Sequence, residues 1–191
     1  MINLVLFGPP GAGKGTQAEK IVEKYNLIHL STGDIFRRNI KEHTELGDLA
    51  KSFMDKGALC PDEVTIKMLQ AEVEAHPEAN GYIFDGFPRT TAQAEALDNF
   101  LQSKSTAITV MLALSVEDDE LKERLRKRAE VSGRTDDADP EIISNRIAVY
   151  KKETAPVADF YQAQNKLEEV NGVGSIAEIS EKLFEAIDRH G

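Results

Sequence analysis

Short apolar runs alternate with amphipathic stretches along most of this chain, and the alternation predicts its architecture before any motif is considered. Ile2–Phe7, Tyr82–Phe84, Ala107–Leu114 and Leu167–Val170 read as buried strands, with a shorter one at Ile28–Leu30. The intervals carry helical periodicity: Lys14–Tyr25, Pro61–Glu74, Thr91–Gln102, Glu117–Arg128, Pro140–Asn165 and Ile176–Asp188. In the first of these, Gln17, Glu19, Lys20, Glu23 and Lys24 are polar, while Ala18, Ile21, Val22 and Tyr25 form an apolar face. Strands separated by single helices imply an α/β fold, a parallel sheet with helices on both faces. Such sheets bind ligands beyond the carboxyl ends of their strands.

Two stretches break the alternation. Ser31–Cys60 is a helical block interrupted by Gly33, Gly47 and Gly57, and Lys127–Asp137 is a polar loop around Gly133. Both read as inserts at the ligand edge, where long functional loops act as lids. The expected organisation is one domain: a core of 1–30, 61–126 and 138–191, an insert at 31–60 and a short lid at 127–137. Gly33, Gly57 and Gly133 are offered as hinge positions, with a plain turn glycine the equal alternative at each.

Composition narrows the class. The 191 residues suffice for a single substantial core, with 41% hydrophobic residues. The longest apolar run, Val110–Leu114, is too short to cross a bilayer. Met1 leads at once into a strand, so the expected location is cytoplasmic. A single Cys60 leaves no disulfide within the chain and no cysteine pair for structural zinc. His29, His43, His76 and His190 are scattered without ligand spacing. A net charge of −10 argues against nucleic acid as partner. An acidic chain that binds anions must gather its cations locally, which draws attention to where the arginines stand.

The first apolar run is followed directly by Gly8-Pro9-Pro10-Gly11-Ala12-Gly13-Lys14-Gly15-Thr16. Two glycines with four residues between them, followed by lysine and set between a strand and a helix, fit the P-loop pattern. Its backbone N–H groups and the positive end of the next helix cradle phosphate, and the lysine reaches the β- and γ-phosphates. Gly15 stands where most such loops carry the Ser or Thr that ligates Mg²⁺, and Thr16 comes one residue later. A dinucleotide-binding loop fits less well, because Thr16 replaces its third glycine and Lys14 goes unexplained. Asn165-Lys166-Leu167-Glu168 faintly matches the guanine-reading motif of GTPases but lacks its final Asp, and it is set aside as coincidence.

Four further segments sharpen the picture. Leu30-Ser31-Thr32-Gly33-Asp34 with Arg37 opens the first insert. Asp85-Gly86-Phe87-Pro88-Arg89 follows the Tyr82–Phe84 strand, with Gln93 one turn beyond. Arg124 and Arg128 share a helix face at i, i+4. Ser132-Gly133-Arg134 with Asp136-Asp137 fills the second insert, and Arg146 follows. Together with the P-loop, and in this order from the first strand to Gly174, these segments resemble the adenylate kinase family of nucleoside monophosphate kinases in its short-lid form.

The resemblance implies a P-loop NTPase-type sheet carrying a helical monophosphate-binding insert and a short lid. Gly11, Ala12, Gly13, Lys14, Gly15 and Thr16 match the ATP phosphate loop, with Arg128 and Gly174 also on the ATP side. Thr32 and Arg37 match contacts to the base and phosphate of AMP, and Ala58, Leu59 and Cys60 match a lining of that site. Gly86, Phe87, Pro88, Arg89 and Gln93 match the AMP-binding turn, with Arg89 on phosphate and Gln93 on adenine. Arg134 and Arg146 match the arginines that grip the transferred group and the AMP phosphate, and Arg124 matches a phosphate-facing arginine. Asp85 matches an acidic residue steadying Mg²⁺ through water. Gly15 in place of a hydroxyl is ordinary for this family. Implied are the substrates ATP, AMP and ADP, Mg²⁺ with ATP, no structural zinc, a monomer, and neither nucleic-acid nor membrane partners.

Physical chemistry leads to the same assignment. Phosphoryl transfer between two nucleotides joins polyanions that repel each other, so catalysis is chiefly positioning and charge neutralisation. Guanidinium forks suit phosphate oxygens, and Lys14 with Arg37, Arg89, Arg124, Arg128, Arg134 and Arg146 could surround the transferred group. No general base is required, because the accepting phosphate oxygen is already ionised. Arg124 and Arg128 have a blander alternative, pairing with Glu117, Asp118, Glu120 or Glu123 on a solvated helix. Asp136 and Asp137 either hold arginines or cap a turn, and stay outside the expected site. Two other functions compete: the same chemistry on UMP or CMP, against which Thr32 argues, and a P-loop ATPase switch, which leaves Thr32, Arg37, Arg89 and Gln93 without purpose.

Overall fold

Period-two alternation along Ile2–Phe7 (β1) divides the core into two layers. In a computed structural model, Leu4 and Leu6 join one apolar cluster while Val5 and Phe7 join the other. Burying a side chain of this size contributes about 1.5–3 kcal/mol, so β1 firmly anchors the loop that leaves its carboxyl end. The structure describes residues 1–191, except for the side chains of Thr135 and Asp136.

Four more strands complete a parallel sheet in the order β2-β3-β1-β4-β5: Ile28–Ser31 (β2), Gly81–Asp85 (β3), Val110–Ser115 (β4) and Leu167–Asn171 (β5). Order reverses beside β1, since the chain passes from β1 to the β2 edge, returns inward to β3, and then crosses β1 to β4 and β5. That switch point opens a crevice at the carboxyl edge, between the ends of β1, β3 and β4.

Helices Lys14–Tyr25 (α1) and Ile176–His190 (α10) cover one face, where Ile21, Ile179, Leu183 and Ile187 are buried against Leu4 and Leu112. Asp62–Glu74 (α4), Thr91–Ser103 (α5) and Pro156–Gln162 (α9) cover the other through Leu69, Val73, Leu97, Leu101, Val157 and Tyr161. Between β2 and α4 the predicted insert contains Thr32–Lys41 (α2) and Glu45–Met54 (α3). It has a small core of its own, Phe36, Ala50 and Cys60 with Ile40, Leu46, Phe53, Met54 and Met68. Cys60 is thus a packing residue and a free thiol.

Two expectations need correction. Lys127–Asp137 is not a loop throughout: Asp118–Ser132 (α6) runs into it and Gly133 ends the helix in a left-handed conformation. Thr135–Ala138 (α7) then forms a single turn. The stretch 140–165 is not one helix either. Pro140–Val149 (α8) gives way to a π-helical turn, Tyr150–Thr154, before α9. Pro156 has no N–H to offer the ladder, and the hydrogen bond just before it shifts frame, Ala155 N–H donating to the Tyr150 carbonyl at 2.7 Å. Among the glycines offered as hinges, Gly57 (φ 71°) and Gly133 (φ 67°) hold left-handed backbone, whereas Gly33 lies inside α2.

Candidate active site

The loop between β1 and α1 curls so that its carbonyls face the lysine that follows. Lys14 Nζ donates to the Gly8 carbonyl at 2.9 Å and to the Pro9 carbonyl at 3.1 Å. Gly13 caps α1 with φ 92°, a conformation L side chains rarely adopt. A Cβ there would meet nothing within 4 Å, so backbone conformation explains the glycine. The first turn of α1 contains no acidic residue, leaving its positive end unopposed. Gly15 and Thr16 are exposed beside it, and Ala12 is buried beneath.

Asp85 ends β3 across from this loop. Asp85 is 7% exposed, and its carboxylate is 3.0 Å from Nε2 of His29, which the β2–β3 register sets opposite Ile83, two residues back along β3. Burial would raise the Asp85 pKa, but the His29 hydrogen bond and the charges of Lys14 and Arg89 outweigh it and hold the carboxyl below its usual range. Burial likewise opposes charging of His29, and the Asp85 bond and charge overcome it, raising the imidazole above its usual value. Burial pulls Lys14 down to about 7; Asp85 opposes this, and Arg89, Arg146 and Arg128 reinforce it. Arg89 is lowered to about 10, first by burial and then by Arg146.

The turn after Asp85 is held by its own side chains. The Gly86 carbonyl accepts from Thr32 Oγ1 at 2.9 Å and from Arg89 Nε at 2.7 Å. Phe87–Pro88 is a cis peptide. A Cβ on Gly86, whose φ is 79°, would come within 2.9 Å of Thr32 Oγ1 and within 2.7 Å of the Arg89 guanidinium. Arg89 N–H donates to Gln93 Oε1 at 2.7 Å, and Gln93 Nε2 donates to Asp62 at 2.9 Å. Thr32, Ala58, Leu59, Cys60, Gly86, Arg89 and Gln93 line one pocket beside this turn, with Phe36, Met54 and Thr65 completing its wall. Phe87 and Pro88 line an adjoining cavity that reaches Lys14, Arg89 and Arg146.

Between turn and P-loop lies a polar cleft. Lys14, Arg37, Arg89, Arg124, Arg128, Arg134 and Arg146 all line it, together with Gly11, Gly13, Gly15, Thr16 and Asp85. Every cation expected around a transferred phosphoryl group therefore faces one space. Arg37 is ion-paired with Asp34. Arg124 does pair with Glu120 at 3.0 Å, as the blander reading expected, yet also donates to the Gly172 carbonyl at 2.9 Å. Gly174 stands exposed in the same β5–α10 loop and does not line the cleft.

Three residues lay outside the expected site. Asp137, fully buried, accepts from Arg128 Nε and a second Arg128 nitrogen at 2.5 and 2.8 Å and from Arg146 at 2.7 Å, with Arg134 Nε 3.5 Å away. Burial would raise its pKa, but the Arg128 hydrogen bond and the surrounding arginines lower it. His29 and Asp62 also carry partners described above. Only Asp137 had a signal in the sequence, an acid within a run of arginines, and a turn cap would look the same.

Among the described residues, no three His, Cys, Asp or Glu side chains cluster as a metal site. The cleft nevertheless suits Mg²⁺. That ion binds through one or two carboxylates, water and substrate phosphates, and Asp85 supplies an ionised oxygen donor next to the P-loop.

Comparison with known proteins shows the family. A model of the family described as "Adenylate kinase" matches residues 6–166. The chain is 58% identical over 188 residues to an adenylate kinase of Flavobacterium psychrophilum, covering 98% of this chain and 99% of that protein. It is 54% identical to an adenylate kinase of Flavobacterium johnsoniae, with the same coverage. With one of Bacteroides thetaiotaomicron the identity is 48% over 189 residues, covering 99% and 100%. The chain belongs to the adenylate kinase family. As an adenylate kinase family member it is a nucleotide-binding phosphotransferase built on a P-loop sheet. No helix of this family member is long and apolar enough to cross a membrane among the described residues.

Proposed function

We propose that this chain catalyses the reversible transfer of the terminal phosphoryl group of Mg·ATP to AMP, giving two molecules of ADP. The observation that carries the reading is the convergence of Lys14 with Arg37, Arg89, Arg124, Arg128, Arg134 and Arg146, drawn from distant stretches of chain, on one cleft between the P-loop and the Gly86 turn. Two polyanions can meet only where their repulsion is offset, and a cleft of fixed cations does so without reorganising at the moment of reaction.

In this reading Gly11, Ala12, Gly13, Lys14, Gly15 and Thr16 bind the phosphates of ATP, with Arg128 beside them and the exposed Gly174 backbone meeting adenine. Thr32, Arg37, Ala58, Leu59, Cys60, Gly86, Phe87, Pro88, Arg89 and Gln93 hold AMP, with Arg134 and Arg146 on its phosphate. An ionised oxygen of the AMP phosphate attacks the γ-phosphorus of ATP, the bond to the β-bridging oxygen breaks, and ADP leaves with that electron pair. Lys14, Arg89, Arg124, Arg128, Arg134 and Arg146 offset the charge at both ends of the transfer without moving. Mg²⁺, when bound with ATP, offsets charge on the phosphate oxygens, and Asp85 would steady it through water. The insert 31–60 and the short lid 127–137 close over both nucleotides and exclude water, which would otherwise accept the phosphoryl group. A cytoplasmic monomer that engages neither nucleic acid nor membranes completes the reading.

The test is ATP formation from ADP alone in the presence of Mg²⁺, followed by phosphorylation of AMP, CMP and UMP side by side. The reading expects equal yields of ATP and AMP from ADP, and AMP as the preferred acceptor. A preference for UMP or CMP would move the chain to pyrimidine nucleotides. Phosphate release without disproportionation would make it an ATPase.

A further inference from the structure

Gln93 is 2% exposed, and both ends of its carboxamide are spoken for. On one side Arg89 N–H, which can only donate, meets Oε1 at 2.7 Å. On the other, the Asp62 carboxylate, which can only accept when ionised, meets Nε2 at 2.9 Å. Thr90 Oγ1 donates to the same Asp62 oxygen at 3.0 Å and accepts from Gln93 N–H at 3.2 Å, closing a ring between the first turns of α4 and α5. The orientation of this amide is therefore set by its neighbours. Turned over, it would oppose donor to donor at Arg89 and acceptor to acceptor at Asp62.

One lone pair on Oε1 and one N–H on Nε2 remain for a ligand in the pocket that Gln93 lines. The 6-amino purine edge offers an N–H from its amino group and an acceptor at N1, which match those two valences. A 6-oxo purine offers the reverse, an acceptor at O6 and a donor at N1, and would need the amide inverted. We infer that Asp62 is a positioning residue that locks the Gln93 carboxamide and thereby makes the acceptor site select 6-amino over 6-oxo purine monophosphates. This rests on the reading of Gln93 as the residue facing the acceptor base.

The experiment compares kcat/KM for AMP and IMP, which differ only at that edge, in the full-length enzyme and in Asp62→Asn, Asp62→Glu and Gln93→Leu. Loss of a charged hydrogen bond of this kind should lower the AMP-to-IMP ratio of Asp62→Asn by at least ~10-fold. Most of that change should lie in KM for AMP, with kcat nearly held, and Asp62→Glu should recover part of it. If Asp62→Asn does not fold, Asp62→Ser keeps a helix-starting residue type while withdrawing the carboxylate, and the same fall is expected. An unchanged ratio in the Asp62 variants while Gln93→Leu abolishes selectivity would overturn the role of Asp62 and leave Gln93 as the reader. An unchanged ratio in Gln93→Leu itself would overturn both.

Discussion

The Arg128 guanidinium donates two hydrogen bonds, 2.5 and 2.8 Å long, to the carboxylate of Asp137, which is wholly buried. Arg146 reaches the same carboxylate from α8 at 2.7 Å. One acid thus collects cations from the helices on either side of the lid, and without it they would repel each other.

Asp137→Asn keeps the shape and removes the charge. Turnover should fall at least ~10-fold, since charge-assisted pairs are roughly twice as strong as neutral ones and orient what they hold. Because the folded-state pKa of Asp137 is depressed, its contribution to stability is full above the unfolded carboxylate range and is lost as pH falls through the folded value. Acid unfolding followed by circular dichroism should therefore be less steep in the variant. Arg134→Ala should cost turnover at least ~10²-fold, as removal of a preorganised charge-stabilising donor does. Near-normal turnover would take Arg134 out of the mechanism.

Burial lowers the Lys14 amine to about 7, far below the ordinary lysine range. Between that value and the ordinary lysine range the unfolded chain holds more protons, so this group makes stability rise with pH across that window. Phosphates reverse the balance by favouring the charged amine. Binding of Mg·ATP at pH 8 should take up close to one proton, measured by calorimetry in buffers of different ionisation enthalpy. Lys14→Met should abolish the uptake and reduce turnover at least ~10²-fold. Undiminished uptake in the variant would place the proton elsewhere.

Thr32 is 2% exposed, and its hydroxyl proton is committed to the Gly86 carbonyl at 2.9 Å. Only its lone pairs remain for a base. Thr32→Ala should relax discrimination between AMP and pyrimidine monophosphates, and should cost about 1 kcal/mol of stability through the lost bond. Paired steady-state assays and thermal unfolding check both effects. Unchanged selectivity would leave base reading to Gln93 and the backbone.

Where local chemistry was decisive, sequence and structure coincide. β1 and α1 have the predicted bounds because an apolar run, a glycine loop and an amphipathic face follow each other without ambiguity. The last residues of α6 were less legible. Their helix is held by exposed pairs such as Arg126–Glu123 at 2.7 Å and Arg126–Glu130 at 3.5 Å, which leave no hydrophobic period. The π-helical turn at Tyr150–Thr154 depends on Pro156 shifting the hydrogen-bond frame, an effect periodicity does not register. His29 and Asp85 are 56 residues apart, and only the register of β2 against β3 makes them partners. The cationic residues lining the cleft were legible because a motif carries each of them. His29 and Asp62 were not, because each acts by holding another side chain, and Asp137 was legible only as one of two alternatives, an arginine partner or a turn cap.

The central claim is that the cations of one cleft span two nucleotides at once, and a compound joining two adenosines through five phosphates measures this most directly. Isothermal titration should give one molecule bound per chain, orders of magnitude more tightly than ADP, with the gain largely lost in Arg134→Ala. Two molecules per chain, or an affinity no better than that of ADP, would contradict it.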